Sequence, residues 1–598
     1  MKTLKNIFRI ASVMMLFSLV TSCSGDLLNE SPETEYTPDQ IYSSETGFEA
    51  GLNGLYSLAR KEREGSGYTD SFGGTGLYAL MNMAGTDNFN CGAGASGEFT
   101  AIYKNWATNN VPTDKSLNKA FSWLYNTVLA ANTIIGRIEK EKENISWSSE
   151  EAADRIAAEA HLIRAWAYRH LVYMWGDVPM PLEEITGSTF RSDWEREPVA
   201  KVYEQIVKDL LFAVDHLGWQ PSQSGRATKG VALTYLAEMY LAQAGTGTSM
   251  GNPELLTAAY DAANRCITEG PYALIRERMS NAPGCAFMDQ FNPSHVNVAA
   301  GNTEALWVML WERNVEGGGD NLMRFSLRPK FDTDGKIDKA LTISYEEESR
   351  GGRGFARTSL TTWALQLYDK SSDYENGIID DRGSEYAIAK YYVLCDKDLI
   401  LDPTAINTYT GEPWKVGDYV YIAKKKDAGD PKDSMMGGYS KLVSGEKEGD
   451  NSNWPYTLKY SFCDAGYPKN NESHNDQVYM RLAETYLLRA EAAFKLGQAD
   501  LAAADINELR RRAHALEVAE EDVTMNLILE ERSRELLGEE QRRYTLRRTM
   551  NAEEFVEWIT SRNGKDKGMT ERDYLFPIPQ SVIDANVEKP MPQNPGWN

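Results

Sequence analysis

Long apolar stripes at helical spacing are the feature that most limits how this chain can fold. Between residues 117 and 138, apolar side chains recur in steps of three and four, which places them on one face of an α-helix of about six turns. Residues 156–174 repeat the pattern, and residues 48–59 carry a shorter version of it. Because such a stripe must be buried against another element, the sequence predicts helices that pack on one another. The first stripe consists of Leu117, Phe121, Leu124, Val128, Ala131, Ile135 and Ile138.

Two segments have the character of helical hairpins. In the segment 483–509, Ala490 and Ala502 allow two helices to approach closely, and Gly497 permits a sharp turn between them. A similar segment, 231–267, has Gly245 at its turn. Both resemble divergent tetratricopeptide repeats. Further helices are predicted at 152–174, 198–217, 228–243, 253–268, 361–369, 478–496, 499–513 and 524–538.

The predicted fold class is therefore mainly α: a tetratricopeptide-like scaffold of helical hairpins, with long loop-rich insertions and a few short strands. We expect one domain over residues 37–598. Loops as long as the insertions are usually functional or disordered in a compact domain, and their aromatic content favours a functional role. The scaffold is assigned to 37–61, 114–275 and 476–545, the insertions to 62–113 and 276–475, and short strands to 305–311, 389–394 and 418–423.

The first residues predict an export signal and a lipid anchor. Residues 1–22 combine three basic residues with an apolar stretch too short to favour a membrane span. The sequence LVTSC, ending at Cys23, resembles a bacterial lipobox, so we expect Cys23 to be lipidated and to become the new N-terminus. The polar and acidic segment 23–36 is predicted to be a tether.

The overall charge limits the partners that this chain can have. Acidic residues outnumber basic ones by 87 to 63, giving a formal net charge of −24. A broad nucleic-acid surface requires a basic stripe, so no nucleic-acid partner is expected. The aromatic residues (31 Tyr, 18 Phe and 14 Trp) suit both a large core and the flat apolar faces of sugars.

The catalytic and cofactor motifs tested give no support for an enzyme. The glycine pattern at 92–97 fits GxGxxG, but it lacks the flanking strand and helix of a dinucleotide site. The loop around Asp332 and Asp334 would place Lys330 and Leu341 at two ligand positions of an EF-hand, so calcium binding is not predicted there. None of the six histidines has a zinc spacing, and no GxSxG is present. We expect no cofactor, no metal and no catalytic residue.

Five cysteines remain after Cys23, and none forms a CxxC pair. An odd number in an exported protein leaves at least one thiol free. Cys91 and Cys285 both lie in loop-like sequence, and a disulfide between them stays open at this stage.

Several segments, in the expected order along nearly the whole chain, resemble the SusD/RagB family of surface nutrient-binding lipoproteins. One run, LGEEQRRY at 537–544, departs from the family pattern and puts the local packing there in question. The matching segments are CSGDLLNESP at 23–32, GLY at 54–56, RAWAY at 164–168, WGDVP at 175–179, GRATKG at 225–230, RLAE at 481–484, EERSREL at 530–536, YLFPIP at 574–579 and QNPG at 593–596.

The resemblance implies a non-catalytic lid on a SusC-like TonB-dependent outer-membrane transporter. Such a protein is anchored in the outer membrane by lipid, is exposed at the cell surface, and captures an oligosaccharide by aromatic stacking and polar contacts before delivery to the transporter. Its ligand face is built by the two insertions. The residues that match this face are Asp87, Asn88, Phe89, Trp106, Phe287, Phe291, Trp311, Arg313, Asn314, Arg324 and Phe325.

Alternatives stay open at this point. The ligand of the same kind of transporter could be a peptide or a glycopeptide, and a surface glycoside hydrolase is the rival from another class. A third alternative is a structural lid whose transporter does the recognition. The basic cluster Arg350, Arg353 and Arg357 would suit an acidic sugar, but the sequence favours its pairing with the acidic residues at 346–348.

Overall fold

The fold is taken from a computed structural model, which describes residues 38–64, 79–91, 102–186, 189–246, 251–329, 340–407, 410–422, 439, 454–563 and 568–597. The predicted signal peptide 1–22, the lipidation site Cys23 and the tether 23–36 lie outside these residues. The same holds for the glycine pattern at 92–97 and for the loop that contains Asp332 and Asp334.

Helices dominate the described residues. The α-helices are α1 Pro38–Ile41, α2 Glu45–Arg60, α3 Ala79–Met83, α4 Trp106–Asn109, α5 Lys115–Glu141, α6 Ala152–Trp175, α7 Val199–His216, α8 Lys229–Ala244, α9 Pro253–Glu269, α10 Ala286–Asp289, α11 Met323–Leu327, α12 Thr362–Gln366, α13 Leu482–Lys495, α14 Ala499–Arg512, α15 Met525–Glu535, α16 Arg542–Thr549, α17 Ala552–Arg562 and α18 Gln580–Ala585. Short 3₁₀ helices are Lys142–Asn144, Val298–Ala300, Glu348–Arg350, Leu367–Ser371, Asp381–Gly383, Glu520–Asp522 and Glu571–Tyr574.

The strands are short and pair two by two. They are β1 Phe89–Cys91, β2 Ala305–Met309, β3 Leu341–Thr342, β4 Thr358–Leu360, β5 Ile388–Ala389, β6 Tyr391–Val393, β7 Leu399–Ile400, β8 Tyr419–Tyr421, β9 Tyr456–Thr457 and β10 Gln477–Arg481. The antiparallel pairs are β1–β4, β2–β10, β3–β7, β5–β9 and β6–β8. Within the described residues, the strand segments thus form small ribbons that decorate a helical body.

The predicted stripes are the buried faces of α5 and α6. Every residue of the 117–138 stripe is at most 5% exposed. Helix α5 begins where the Asp114 side chain accepts hydrogen bonds from the backbone N–H groups of Ser116 and Leu117 (2.9 and 3.0 Å). The mainly α fold class predicted from the sequence is confirmed.

The hairpin predictions are also confirmed. Helix α8 packs on α9, and α13 packs on α14, while α9 also packs on α13 and joins the two hairpins into one layer. Ala490 and Ala502 are fully buried at the contact between α13 and α14. Gly497 has a φ of +79°, which only glycine adopts without strain, at the turn between them.

Two local predictions differ from the structure, and one question left open by the sequence is answered. The helix predicted at 478–496 begins only at Leu482, because residues 477–481 form β10 and pair with β2, a partner far away in the chain. The helix predicted at 361–369 ends at Gln366 and continues as a 3₁₀ helix. The thiols of Cys91 and Cys285 are both free, so the disulfide left open by the sequence does not form.

The segments that carry the resemblance meet in space around the end of α6. The Trp175 indole N–H donates to the carbonyl of Pro577 (3.0 Å), and the Asn594 amide donates to the carbonyls of Trp175 and Phe576 (2.9 and 2.8 Å). The backbone N–H of Phe576 donates to the carbonyl of Met174 (2.9 Å). The C-terminal segment is therefore fastened to the helical body by backbone carbonyls that α6 leaves open at its end.

A buried network of charges fills the space between the scaffold and the insertions. Arg481, which is fully buried, donates to Glu304 (2.7 Å), Glu535 (2.5 Å) and Glu539 (2.6 Å). Burial by itself would raise the pKa of Glu535, but three buried arginines hold this pKa well below its ordinary value. The EERSREL segment thus supplies internal ion pairs, and the departing run at 537–544 is buried beside them.

In the part of the chain that the structure describes, we find no helix with the length and apolar character needed to span a membrane.

Candidate functional site

A cleft of about 790 Å³ opens between the scaffold and the second insertion. Its walls are the C-terminal half of α2, the turn 223–226, strand β2 with the following loop 310–318, and Asp476 just before β10. We call this the β2 cleft. Its size lies within the range that is typical of small-molecule sites.

Aromatic side chains form the floor of the β2 cleft. Tyr56, Trp307 and Trp311 line it, and each is at most 9% exposed, so only a small part of each side chain is open. The rings of Tyr56 and Trp307 meet edge to face, with centroids 6.2 Å apart. The Trp307 indole N–H donates to the carbonyl of Gly225 (3.0 Å), whereas the Trp311 Nε1 has no hydrogen-bond partner among the described residues. Trp311 therefore keeps a buried donor at the wall of the cleft.

Asp476 supplies a carboxylate to the same wall. Its Oδ1 accepts the backbone N–H of Trp311 (2.9 Å), and its Oδ2 accepts the side-chain amide of Asn297 (2.7 Å). Burial is the main reason why the pKa of Asp476 is raised above its ordinary value.

Arg60 holds the loop 310–318 against helix α2. Its guanidinium donates to the carbonyls of Leu310 (2.6 Å), Gly318 (3.0 Å) and Gly317, and its Cζ lies 5.4 Å from the centroid of the Trp311 ring. Gly319, with a φ of +66°, closes the loop so tightly that a Cβ there would lie 3.3 Å from the Trp311 ring. One arginine therefore sets the shape of a whole wall of the cleft.

Substitution of Arg60 by alanine is expected to loosen this loop without unfolding the protein. The loss of charge-assisted hydrogen bonds to three carbonyls should speed amide exchange in the loop by about tenfold or more. The measurement is hydrogen–deuterium exchange followed by mass spectrometry on peptides that cover 308–320. Lys61→Ala, which removes an exposed neighbouring cation, is the matched control, and equal exchange in both variants would contradict the assignment.

An exposed tyrosine, Tyr467, lies against Arg313 of the cleft loop. The Arg313 guanidinium lies 4.0 Å from the centroid of the Tyr467 ring and donates to Asp464 (2.6 Å), which also binds the His474 Nδ1 (2.8 Å). Burial would raise the pKa of Asp464, but hydrogen bonds from His474 and Arg313 lower it. Tyr467 is 45% exposed, and the neighbouring Asn314 is exposed as well.

Three of the residues predicted to bind ligand thus meet at the cleft: Trp311 in its wall, and Arg313 and Asn314 at its rim. Four others lie together elsewhere, in the core near the C-terminal helices. Asp87 is fully buried and accepts from Arg542 (2.6 Å) and from the Trp558 indole (2.6 Å). Asn88, Phe89 and Trp106 are at most 3% exposed. Their side chains are packing and ion-pair partners, because neighbouring elements cover them.

The remaining four predicted residues are also covered. Phe287 and Phe291 are at most 5% exposed and pack beneath the cations of the buried network. Arg324, 1% exposed, donates to five backbone carbonyls, among them Gly351 (3.2 Å) and Asn470 (2.6 Å), and burial lowers its pKa to about 10. Phe325 is 1% exposed and stacks on Phe355. These side chains support the insertion from within and offer no open face in this structure.

The basic cluster is occupied by internal partners. Arg350 binds both carboxylate oxygens of Asp398 (2.7 and 2.6 Å), and not the acidic residues at 346–348 that the sequence favoured. The partner was missed because Asp398 comes close only through the pairing of β3 with β7. The Arg353 side chain donates to the side-chain oxygen of Asn471 (3.1 Å), and Arg357 is 3% exposed.

Sequence reasoning missed Arg60, Asp476 and Tyr467. Arg60 and Asp476 lie in scaffold segments, where a charged residue resembles any solvated one. Tyr467 follows Gly466, which has a φ of +80°, so an exposed turn bearing an aromatic residue was the signal that could have found it. No group of three or more His, Cys, Asp or Glu side chains in the described ranges is arranged to hold a metal ion.

Comparisons with known families agree with this architecture. A family model described as the SusD family matches residues 303–597, and a second, described as starch-binding associating with outer membrane, matches residues 34–241. The chain is 25% identical to SusD-like protein P2 of Formosa agariphila over 614 residues, which covers 99% of both chains. It is 28% identical to a SusD-like protein of Bacteroides ovatus over 313 residues, which covers 50% of this chain and 49% of the relative.

Solved structures share the fold. A SusD homolog from Bacteroides thetaiotaomicron superposes with a TM-score of 0.68 at 20% identity, covering 94% of this chain and 99% of that chain. A laminarin-binding SusD-like protein superposes with a TM-score of 0.64 at 20% identity, covering 93% and 100% of the two chains. At these identities the likeness establishes a common fold.

Proposed function

The chain belongs to the SusD/RagB family, and on that premise we propose that it is a non-catalytic glycan-binding protein of the cell surface. It captures an oligosaccharide and delivers it to a SusC-like TonB-dependent transporter in the outer membrane. The observation that carries the proposal is the β2 cleft, which is lined by three aromatic side chains and the Asp476 carboxylate, with the exposed Tyr467 ring against Arg313 of the cleft loop.

The chemistry of the cleft suits a sugar. A pyranose has apolar C–H faces that pack on aromatic rings, and hydroxyl groups around its edge that need donors and acceptors. Tyr467 offers an exposed ring beside the cleft loop, and Asp476, in the lining of the cleft, offers an acceptor. The laminarin-binding activity of a structural relative supports the same ligand class.

We assign ligand contact to Trp311, Arg313 and Asn314, with Tyr467 and Asp476 added from the structure. The other predicted positions act indirectly. Asp87, Asn88, Phe89 and Trp106 stabilise one part of the core, while Phe287, Phe291, Arg324 and Phe325 support the insertion behind the cleft.

Attachment by lipid at Cys23 and partnership with the transporter are supported by family membership, and by a family model whose description places starch binding at the outer membrane. Cys23→Ala should release the protein from the membrane fraction. Co-purification of the full-length chain with an outer-membrane transporter from its native host tests the partnership.

The function is tested by a titration in which each ligand is recovered. Protein lacking residues 1–23 is titrated calorimetrically with maltohexaose, laminarihexaose, cellohexaose and a mixture of oligopeptides, and each bound ligand is then analysed by chromatography. We expect at least one hexasaccharide to bind and to return intact.

Two outcomes would contradict the proposal. Recovery of shortened sugars would show that the protein is a hydrolase, and binding of peptides alone would make it a peptide receptor. A deletion of residues 312–316, which removes part of the cleft wall, should abolish binding if the β2 cleft is the site.

A further inference from the structure

The β2 cleft is lined by five charged side chains, and the carboxylates outnumber the guanidinium groups. Arg60 and Arg226 are the cations, and Glu312, Glu316 and Asp476 are the anions. A ligand meets only the charges that the protein itself does not neutralise. The partners of each charged group therefore determine the electrostatic field in the cleft.

Both cations are committed to protein groups. Arg226 binds Glu159 (3.1 Å), Glu49 (3.1 Å) and the side-chain oxygen of Asn53 (2.6 Å), and it is 5% exposed. Arg60 donates to three backbone carbonyls of the cleft loop, as described above. Arg226 is therefore neutralised by two glutamates, whereas Arg60 is bound to neutral carbonyls and keeps its positive charge.

The negative charges of the three cleft carboxylates are not neutralised by ion pairs with described residues. Asp476 accepts only from neutral donors, a backbone N–H and an amide. Glu312 and Glu316 are exposed on the cleft loop and form no ion pair with any described residue. Burial is the largest cause of the raised pKa of Asp476, and Glu312 raises this pKa further, while the nearby Arg60 lowers it. The open side of the cleft is therefore negative.

The basic side chains near the β2 cleft do not reverse its negative electrostatic potential. Arg313, on the cleft loop, is paired with Asp464. The chain as a whole adds a net charge of −24. An anionic ligand would thus meet three carboxylates in the cleft against one guanidinium that no ion pair neutralises, that of Arg60.

From this arrangement we infer that the β2 cleft selects uncharged glycans and rejects glycans that carry carboxylate or sulfate groups. The inference rests on the proposed function, because it names the ligand class of the same site. Like charges at separations of a few ångströms up to about a Debye length repel, and salt weakens this repulsion. The selectivity must therefore depend on ionic strength.

The test compares each neutral sugar with its own oxidised counterpart. Maltohexaose, laminarihexaose and cellohexaose are titrated beside the same hexasaccharides in which each primary alcohol at C6 has been oxidised to a carboxylate. For the neutral sugar that binds, we expect the oxidised form to bind about fivefold or more weakly at 50 mM NaCl. In 500 mM NaCl the difference should shrink to about twofold, because the Debye length falls.

A charge-neutral variant separates the cleft from the overall charge. Glu312→Gln combined with Glu316→Gln should at least halve the preference at 50 mM NaCl. The matched control is Glu553→Gln with Glu557→Gln, which removes two exposed carboxylates from helix α17, outside the lining of the cleft. The control should keep the full preference.

The outcomes are distinct. Equal or tighter binding of the oxidised sugars would overturn the charge selectivity and leave glycan binding standing. An equal effect of both double variants would overturn the role of the cleft carboxylates. Failure of every hexasaccharide, neutral or oxidised, to bind would overturn the proposed function, and with it this inference.

Discussion

Tyr467→Ala is expected to weaken binding of the neutral hexasaccharide by about tenfold or more, which corresponds to about 1.4 kcal/mol. The ring is 45% exposed at the rim, and the Arg313 guanidinium covers it from one side at 4.0 Å. The substitution removes an apolar face that a pyranose can cover, and it also frees Arg313 from its stacked position. Isothermal calorimetry with the neutral sugar measures the change.

The stability of this variant should change little, because exposed side chains away from the core contribute within about 0.5 kcal/mol in most cases. Tyr386→Ala is the matched control, since Tyr386 is 39% exposed and does not line the cleft. Tyr467→Phe should retain most of the affinity, because it keeps the ring. If Tyr467→Ala binds as tightly as Tyr386→Ala does, the rim is not part of the site.

Arg481→Met is expected to lower the free energy of unfolding by about 3–5 kcal/mol. The fully buried guanidinium neutralises Glu304, Glu535 and Glu539 at distances of 2.5–2.7 Å. Without it, buried carboxylates lose a counter-charge that water cannot replace, and their pKa values must rise towards or above the ordinary range. Denaturation with urea, followed by circular dichroism, measures the loss.

Three further variants make this result interpretable. Arg511→Met, on the same helical layer but 44% exposed, should cost at most about 1 kcal/mol, although it also has two glutamate partners. Arg481→Lys keeps the charge and should be intermediate. Adding Glu535→Gln to Arg481→Met should restore part of the loss, because the two groups are coupled. A cost for Arg481→Met no larger than that of Arg511→Met would show that the network does not act as described.

The helices could be predicted because their information is local. The stripe from Leu117 to Ile138 repeats within one element, and the hairpin turn at Gly497 needs only its own neighbours, so both predictions are confirmed. Strand β10 could not be predicted in the same way, since the same apolar residues fit a helix. These residues form a strand because they pair with β2, which lies far away in the chain.

The candidate site was predictable only in part. Loop position and residue type pointed to Trp311, Arg313 and Asn314, which lie at the β2 cleft. The same criteria also selected Phe89, Trp106 and Phe287, which are buried. An aromatic residue in a loop has the same sequence signature whether it faces a ligand or a neighbouring ribbon, so side-chain type cannot distinguish the two cases.

Local periodicity and ordered motifs thus determine that this chain is a helical scaffold of the SusD/RagB family. Only the tertiary structure decides which charged and aromatic side chains remain accessible to a ligand. Arg481 and Arg350 are residues of one type, yet one completes a buried network and the other binds Asp398. Arg60 shapes the cleft because a distant loop brings three carbonyls to it. Burial and pairing depend on contacts between residues that are 48 to 258 positions apart in these examples, and no local pattern in the sequence encodes them.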